Sequence, residues 1–483
     1  MLFDSFVYIF LFLPITVILL YYFNNYNINL YFLIIASIIF YSFWKYESLI
    51  ILVISILLNF FFGEILSKKK KKFFLFTFIT INLIILGYFK YYNFFFYNIN
   101  LVTNRNYDYL DIAYPLAISF YTFQQITYLV DIYNDEIKNR SFKLYFLFVS
   151  FFPQLIAGPI VKYNYLISQF KELKIRENFF DNFSKSFLLI SIGLFKKIFL
   201  ADYFGNIVDI GYLNVNNLDT LESWIVSFSF TLQFYFDFSA YIDIALGSAL
   251  LIGVKLPANF NSPYKSENLI EFWSRWHITL SNFLYQYIYY PLIRLKVNFS
   301  FTYSLSITFL VFLIAGIWHG PSWFFVIFGM LHGIGVIFNQ INKKFKIFKL
   351  GKIISIFFTM MYWNFSLIFF RSGNLDELKG IIANMIKFKF SLPVFLNNKF
   401  DYSFFTYNGF LNNICKSPLD KIYIFFYFII SFTIVYFYKN SNELDSSFTV
   451  RYKRGRGLFF ILIILFLALI SKGNNNSFIY FNF

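Results

Sequence analysis

The chain has 483 residues, of which 59% are hydrophobic, 25% aromatic and only 14% charged, with a mean hydropathy of +0.60 and a formal net charge of +16. So few charges cannot cover a water-soluble fold that also buries this much Phe, Ile and Leu, which excludes the soluble classes and makes lipid the solvent for much of the surface. No basic segment carries a nucleic-acid motif, so no nucleic-acid partner is expected; the excess charge follows the positive-inside rule for loops between membrane spans.

Backbone amides in hydrocarbon must be satisfied within their own segment, and the apolar runs are long and unalternated, so helices are expected rather than a barrel. The fold class expected is all-α, a polytopic integral membrane protein. A crossing takes about 20 apolar residues. Spans are expected near 3–23, 28–44, 47–66, 73–97, 112–133, 142–160, 183–210, 221–252, 302–318, 322–341, 353–370, 421–438 and 458–471. The first has no preceding basic residue and no small-residue cleavage site, so it is expected to be retained rather than removed as a signal peptide.

The five consecutive lysines Lys68 to Lys72 mark a cytoplasmic loop. Lys343, Lys344, Lys346, Lys349 and Lys352 mark another, as do Arg451, Lys453, Arg454 and Arg456. Counting from either end places both termini outside. Segment 260–296 is too polar for a lipid-facing helix, so it is expected to be re-entrant or to line a cavity. Segment 371–420 is expected as an outer loop with room for an amphipathic helix. The single cysteine, Cys415, excludes an intramolecular disulfide and a cysteine-based metal site, and no metal is expected.

The three histidines are His277, His319 and His332. His319 follows an apolar helix in LIAGIWHGPSW, and an ionisable side chain at membrane depth is a functional hypothesis by default. Neutral imidazole can take a proton from a hydroxyl and return it; the plain alternative is a buried histidine bonded to a backbone carbonyl. Gly316 and Gly320 would leave room beside it. His277 lies in EFWSRWHITLS, where Glu271 and Arg275 are four apart and can pair. It is either a second catalytic group or an interfacial histidine. If the chain from His319 to His332 were straight helix, a rise of about 20 Å would separate them, and His332 is expected to be structural. Asp237 and Asp243 lie six apart in an apolar run, on different helix faces. Buried carboxylates need partners; Arg275 or a histidine is one expectation, a polar packing cluster with Gln233 and Tyr241 the other.

Seven strings occur in order: SFYTFQQITYLVDIY at 119–133, FFPQLIAGPIVKY at 151–163, GLFKKIFLAD at 193–202, QFYFDFSAYIDIALG at 233–247, ANFNSPY at 258–264, EFWSRWHITLS at 271–281 and GIWHGPSWFFVIFGMLHG at 316–333. This ordered set resembles the membrane-bound O-acyltransferase (MBOAT) family, in its AlgI-like bacterial branch, over nearly the whole chain. The resemblance implies one membrane-embedded domain over 1–483, a helical fold around a central tunnel, a catalytic core at 114–341 and an outer-face tail at 472–483. It implies that His319, in the WHG motif, is the essential residue and His277, in the RWH motif, its support. Asp237, Asp243, Gln233, Arg275 and Trp318 form the expected substrate-binding or supporting set. It further implies no tightly bound cofactor, acetyl-CoA or another acetyl thioester as donor, a polysaccharide acceptor, and an extracytoplasmic SGNH-type acetyltransferase as partner. The bacterial inner membrane is the expected location. After SNFL the chain reads Tyr285, Gln286, Tyr287 where Arg-Asp-Tyr is common, departing at Tyr285 and Gln286. It also lacks the glycine pair after Pro291 and Leu292, having Ile293 and Arg294 instead; both departures bear on the local loop and not on the histidine chemistry. The terminal FIYFNF resembles the tail of the accessory peptide of D-alanylation, which makes Tyr480 a candidate acyl relay; an aromatic interface anchor is the alternative. The function expected is acetyl transfer across the membrane. A polysaccharide or lipid-linked sugar transporter, which needs a cavity but no base, is the alternative, and a non-catalytic scaffold a third.

Overall fold

The computed structural model describes residues 1–388 except 24, 44, 45, 106, 113, 174 and 178, then 418–441, 443 and 478, with side chains from 424 in the later part. The expected span 458–471, the basic cluster from Arg451, Cys415 and Tyr480 lie outside the described residues. Among the described residues the regular structure is helical throughout, and six helices are long and apolar enough to cross a membrane.

A π-helical turn, Val7–Phe12, leads into α1 (Leu13–Phe23), followed by α2 (Tyr26–Ser42), α3 (Tyr46–Lys68) and α4 (Lys72–Thr103). Met1 donates to the carbonyl of Phe40 near the C-terminal end of α2, whereas Lys143 bonds Asn27 at its N-terminal end. Next come α5 (Ile118–Tyr133), α6 (Phe142–Ser150), α7 (Phe152–Leu155), α8 (Tyr163–Lys171), α9 (Phe179–Phe195) and α10 (Asp202–Leu213).

The expected span at 142–160 is not one helix. α6 stops after nine residues, about 14 Å of rise, and Phe151 turns to ψ 107°. Pro153 lacks the backbone donor that a continuing helix needs at that position. The expected span at 183–210 is continuous but locally underwound: a π-turn, Lys196–Ala201, joins α9 to α10. Such a turn shifts the helix faces around it.

α11 (Thr220–Leu251, 32 residues) is the central post, opened by a reciprocal capping box between Asp219 and Glu222. Its apolar window is 100% buried, so it touches protein rather than lipid on every side. α9 presses against it at two glycines. A Cβ on Gly193 would stand 2.8 Å from the Ala240 carbonyl, and one on Gly247 2.8 Å from that of Ser186.

Beyond α11 the chain does not exit as a simple loop. Tyr264 donates to the Thr231 carbonyl of α11 at 2.6 Å and accepts from Trp363 at 3.1 Å. The short helices α12 (Leu269–Arg275), α13 (Ile278–Leu284) and α14 (Tyr290–Ile293) follow, with a π-turn at Tyr285–Tyr289. Asn259, Trp276 and His277 are all buried. The first part of segment 260–296, to Leu284, is therefore folded back largely under protein cover, as irregular backbone in an apolar slab must be, whereas Tyr285, Tyr290 and Leu295 beyond it are exposed.

α15 (Phe301–His319) and α16 (Trp323–Phe345) form a tight hairpin; α17 (Lys352–Arg371), the short amphipathic α18 (Leu375–Ile386) and α19 (Pro418–Phe437) complete the described helices. α18 lies in the segment expected as an outer loop and buries Leu378, Ile381 and Asn384. The hairpin closes on Gly316 and Gly329: a Cβ on Gly329 would meet the Phe312 carbonyl at 2.5 Å, and one on Gly316 the Phe325 carbonyl at 2.4 Å. Backbone cannot yield as a side chain can. Gly329→Val is expected to cost about 1–3 kcal/mol or more of stability, read as a lower melting temperature of detergent-solubilised protein. Gly87→Ala, where nothing lies within 4 Å, is the control that leaves it unchanged or raised.

Candidate active site

α15 ends at His319, and the last carbonyls of a helix have no partner within it. α4 supplies one. Lys90 donates to the carbonyls of Trp318 at 2.6 Å and His319 at 3.2 Å, and to Ser119 Oγ at 3.3 Å; Tyr91 donates to the Ile317 carbonyl at 2.6 Å. A cation at a helix C-terminus also complements the helix dipole. Sequence reasoning passed over Lys90, although a charge inside the apolar run 73–97 was the signal that would have found it.

The His319 imidazole lies in an aromatic enclosure made by Trp318, Phe370 and Phe328, with ring centroids at 5.0, 5.2 and 5.8 Å. It keeps 7% exposure, against 1% for His277 and 0% for His332, and is the most accessible of the three. Gly320 serves the site by omission, since a Cβ there would stand 2.4 Å from the Phe325 ring.

His332 is on the other arm of the hairpin, so the straight-helix separation does not apply: the chain turns at Gly320 to Ser322. Phe328 stands between the two imidazoles, 4.5 Å from His332. Trp273 Nε1 donates to His332 Nδ1 at 3.4 Å and the other ring nitrogen meets Ser366 Oγ at 2.9 Å. Both nitrogens are occupied by structural partners, consistent with a structural residue.

His277 occupies a left-handed backbone position (φ 43°, ψ 53°) at the start of α13. Its Nδ1 lies 3.2 Å from Asn259 Oδ1, which also accepts from the Thr279 amide at 3.1 Å and the Thr279 hydroxyl at 3.0 Å. The amide N–H identifies that Asn259 atom as the oxygen. His277 Nδ1 must then carry the proton, and Nε2 carries the lone pair. Asn259 and Thr279 were not foreseen from the sequence.

Trp318 sits with both site histidines. Its indole centroid is 5.0 Å from His319 and 6.3 Å from His277, with interplanar angles of 63° and 65°. On the other side it stacks on Phe123 at 5.6 Å, and Phe123 stacks on Phe283 at 4.3 Å. Phe283 and Thr279 line a cleft of about 220 Å³ with Thr127, Lys162, Gln286 and Tyr287. Tyr287 donates to Asp131 at 2.8 Å, and the Lys162 ammonium lies 5.6 Å from the Tyr287 ring centroid. An aromatic row thus leads from this cleft to Trp318, and the departure from the family pattern at Gln286 falls on the cleft wall.

Comparison with known proteins decides what this arrangement belongs to. The profile of the MBOAT, membrane-bound O-acyltransferase family, matches residues 133–373. A peptidoglycan O-acetyltransferase of Helicobacter pylori is 36% identical over 100% of this chain and 98% of its own length. The chain belongs to the membrane-bound O-acyltransferase family. A probable alginate O-acetylase AlgI of Azotobacter vinelandii is 33% identical over 80% of this chain and 78% of its own. A teichoic acid D-alanyltransferase of Streptococcus thermophilus is 27% identical over 47% and 58%. This MBOAT protein is a multi-pass membrane enzyme, an O-acetyltransferase acting in cell-envelope polysaccharide modification.

The aspartates of the MBOAT chain do not find the partners expected for them. Arg275 pairs with Glu271 at 2.8 Å, one helical turn away. Asp237 pairs instead with Lys197 at 2.8 Å, and Lys197 with Asp202 at 2.8 Å; Asp243 pairs with Lys196 at 2.6 Å and accepts from Ser441 at 2.5 Å. Consecutive lysines reach carboxylates six residues apart because they lie on the π-turn of the helix packed against α11. Gln233 presents a buried Oε1 with no partner among the described residues, and Tyr241 accepts from the Ala157 amide at 3.2 Å. The ring of Phe478, in the C-terminal tail, packs on Tyr241 at 5.3 Å and under Lys197 at 4.5 Å.

Two outcomes follow from these contacts. Lys197→Met removes the cation shared by Asp237 and Asp202, and a buried pair broken on one side costs about 3–5 kcal/mol; a thermal melt should show the loss, and Lys197→Met combined with Asp237→Asn should recover part of it. Asn259→Leu removes the acceptor that sets the His277 tautomer, and O-acetylation should fall by about 10- to 100-fold, the range for loss of a histidine-orienting partner. Unaltered activity would mean the tautomer does not matter.

Proposed function

We propose that this protein takes an acetyl group from a cytoplasmic thioester, with acetyl-CoA as donor, and delivers it outward for O-acetylation of a cell-surface polysaccharide. Peptidoglycan is the favoured acceptor, because the relative named for it matches from end to end; an alginate-like polymer is the second reading, supported by the AlgI similarity over 80% of the chain. The observation that carries the proposal is the placing of His319. It is the most accessible of three buried histidines, held by its backbone in an apolar enclosure, with a second imidazole across Trp318.

His319 acts as general base on the acceptor hydroxyl and returns the proton to the leaving sulfur. His277, with its lone pair on Nε2, orients donor or acceptor. The cleft at Thr279 and Tyr287 is the donor side. Lys70, in the run Lys68 to Lys72, pairs with Asp135 just beyond the C-terminal end of α5, the helix that carries Asp131. The positive-inside rule makes that face cytoplasmic and puts Met1 on the outside of the inner membrane. A secreted SGNH-type acetyltransferase then carries acetyl to the final glycan, with donor thioester consumed rather than held as a cofactor. A transporter needs no base and a scaffold no intact histidine pair.

His319→Ala at unchanged protein level is expected to reduce the O-acetyl content of surface glycans to the level of a deletion strain. Wild-type O-acetyl content in that variant would sink acyl transfer by this site, and transport of unacetylated glycan by purified protein in vesicles would favour the transporter.

A further inference from the structure

Trp318 holds a hydrogen-bond donor that the fold does not use. The indole is 6% exposed and its Nε1–H is buried with no acceptor among the described residues. Buried donors are paired in the great majority of cases, so a native exception asks for a reason. The ring contacts do not use the donor: Phe123 and Phe120 pack on the indole at 5.6 and 5.5 Å, and the Lys90 ammonium lies 5.9 Å from its centroid, none of which accepts a hydrogen bond. The indole meets His319 and His277 edge-on at 5.0 and 6.3 Å, and the row Phe283–Phe123–Trp318 links it to the cleft. Beside these two imidazoles, Trp318 Nε1–H is a donor that finds no acceptor among the described residues.

We propose that Trp318 Nε1–H binds the carbonyl oxygen of the acyl thioester and stabilises the oxyanion formed on it. The inference rests on the acyl-transfer reading given above. In the step, the acceptor oxygen forms a bond to the carbonyl carbon while its proton passes to His319. The C=O π electrons move to the oxygen, which takes the Trp318 hydrogen bond. Collapse restores C=O, breaks the C–S bond and returns the proton from His319 to the thiolate. Nothing beyond donor and acceptor is consumed. A neutral donor inside a water-poor enclosure acts on developing charge more strongly than the same donor in water.

The test replaces one N–H and nothing else. Trp318→3-benzothienylalanine, introduced into the full-length protein by codon suppression, keeps the bicyclic shape and puts sulfur in place of N–H; Trp318→5-fluorotryptophan keeps the donor. With acetyl-CoA as donor probe and peptidoglycan fragments together with the secreted acetyltransferase as acceptor system, kcat of the benzothienyl variant is expected to fall by about 100-fold or more, the usual loss for one oxyanion donor. KM for acetyl-CoA and the melting temperature stay as in the wild type, and the fluorinated variant stays active. A benzothienyl variant as fast as wild type overturns the assignment, as does a loss confined to KM. Wild-type protein that leaves acetyl-CoA unconsumed overturns the acyl-transfer reading itself, and the role of the indole with it.

Discussion

The site depends on how the C-terminal end of α15 is finished inside an apolar slab. A helix end leaves carbonyls without partners, and hydrocarbon offers none. Lys90 and Tyr91 close that gap from α4, taking three successive carbonyls from Ile317 to His319. From the other side, α16 crosses at backbone contact through Gly316 and Gly329. Between these constraints the backbone at Trp318 and His319 has nowhere to move. The imidazole inherits its place from the main chain, and so needs no carboxylate to hold it.

The second histidine is positioned by the opposite device. His277 lies in irregular chain, and the satisfaction of that chain is local. Asn259 accepts three hydrogen bonds on one oxygen, while its carbonyl takes the Ile278 amide at 3.0 Å and the Asn261 amide reaches the Arg275 carbonyl at 2.9 Å. Residues 259–261 thus pair with the link between α12 and α13, from Arg275 to Ile278. That pairing lets a polar segment return into the protein interior without stranded amides, and it fixes the tautomer of the ring it presents.

Much of this was legible in the amino-acid sequence. Long apolar runs give away helices because hydrocarbon permits little else, and the ends of α2, α3 and α15 to α17 fall within a few residues of the expected ones. His319 was legible because a titratable group in such a run is expensive. The break after α6 was not, since averaging hydropathy over a window hides the effect of Pro153 on one backbone donor. The partners of Asp237 and Asp243 were not legible for a different reason. Lys197 and Lys196 stand 40 and 47 residues away in sequence, and only the glycine-mediated contact of α9 with α11 and the π-turn after it bring them into register. Lys90 carried the same signal as His319 but serves the backbone, so its role appears only once the end of α15 is seen.

Three histidines in one apolar interior would be ambiguous on charge cost alone; their hydrogen bonds separate them. His332 spends both nitrogens on Trp273 and Ser366, which leaves it nothing to give a substrate. His277 spends Nδ1 on Asn259 and keeps a lone pair on Nε2, the form suited to receive or orient a donor proton. His319 is held by its main chain and keeps the greatest exposure of the three. A base must be free at the ring yet fixed in space, and those two requirements conflict when the ring itself supplies the fixing bonds. Anchoring through the carbonyl, as Lys90 does for His319, resolves the conflict, and that favours His319 over His277 as the residue that handles the proton.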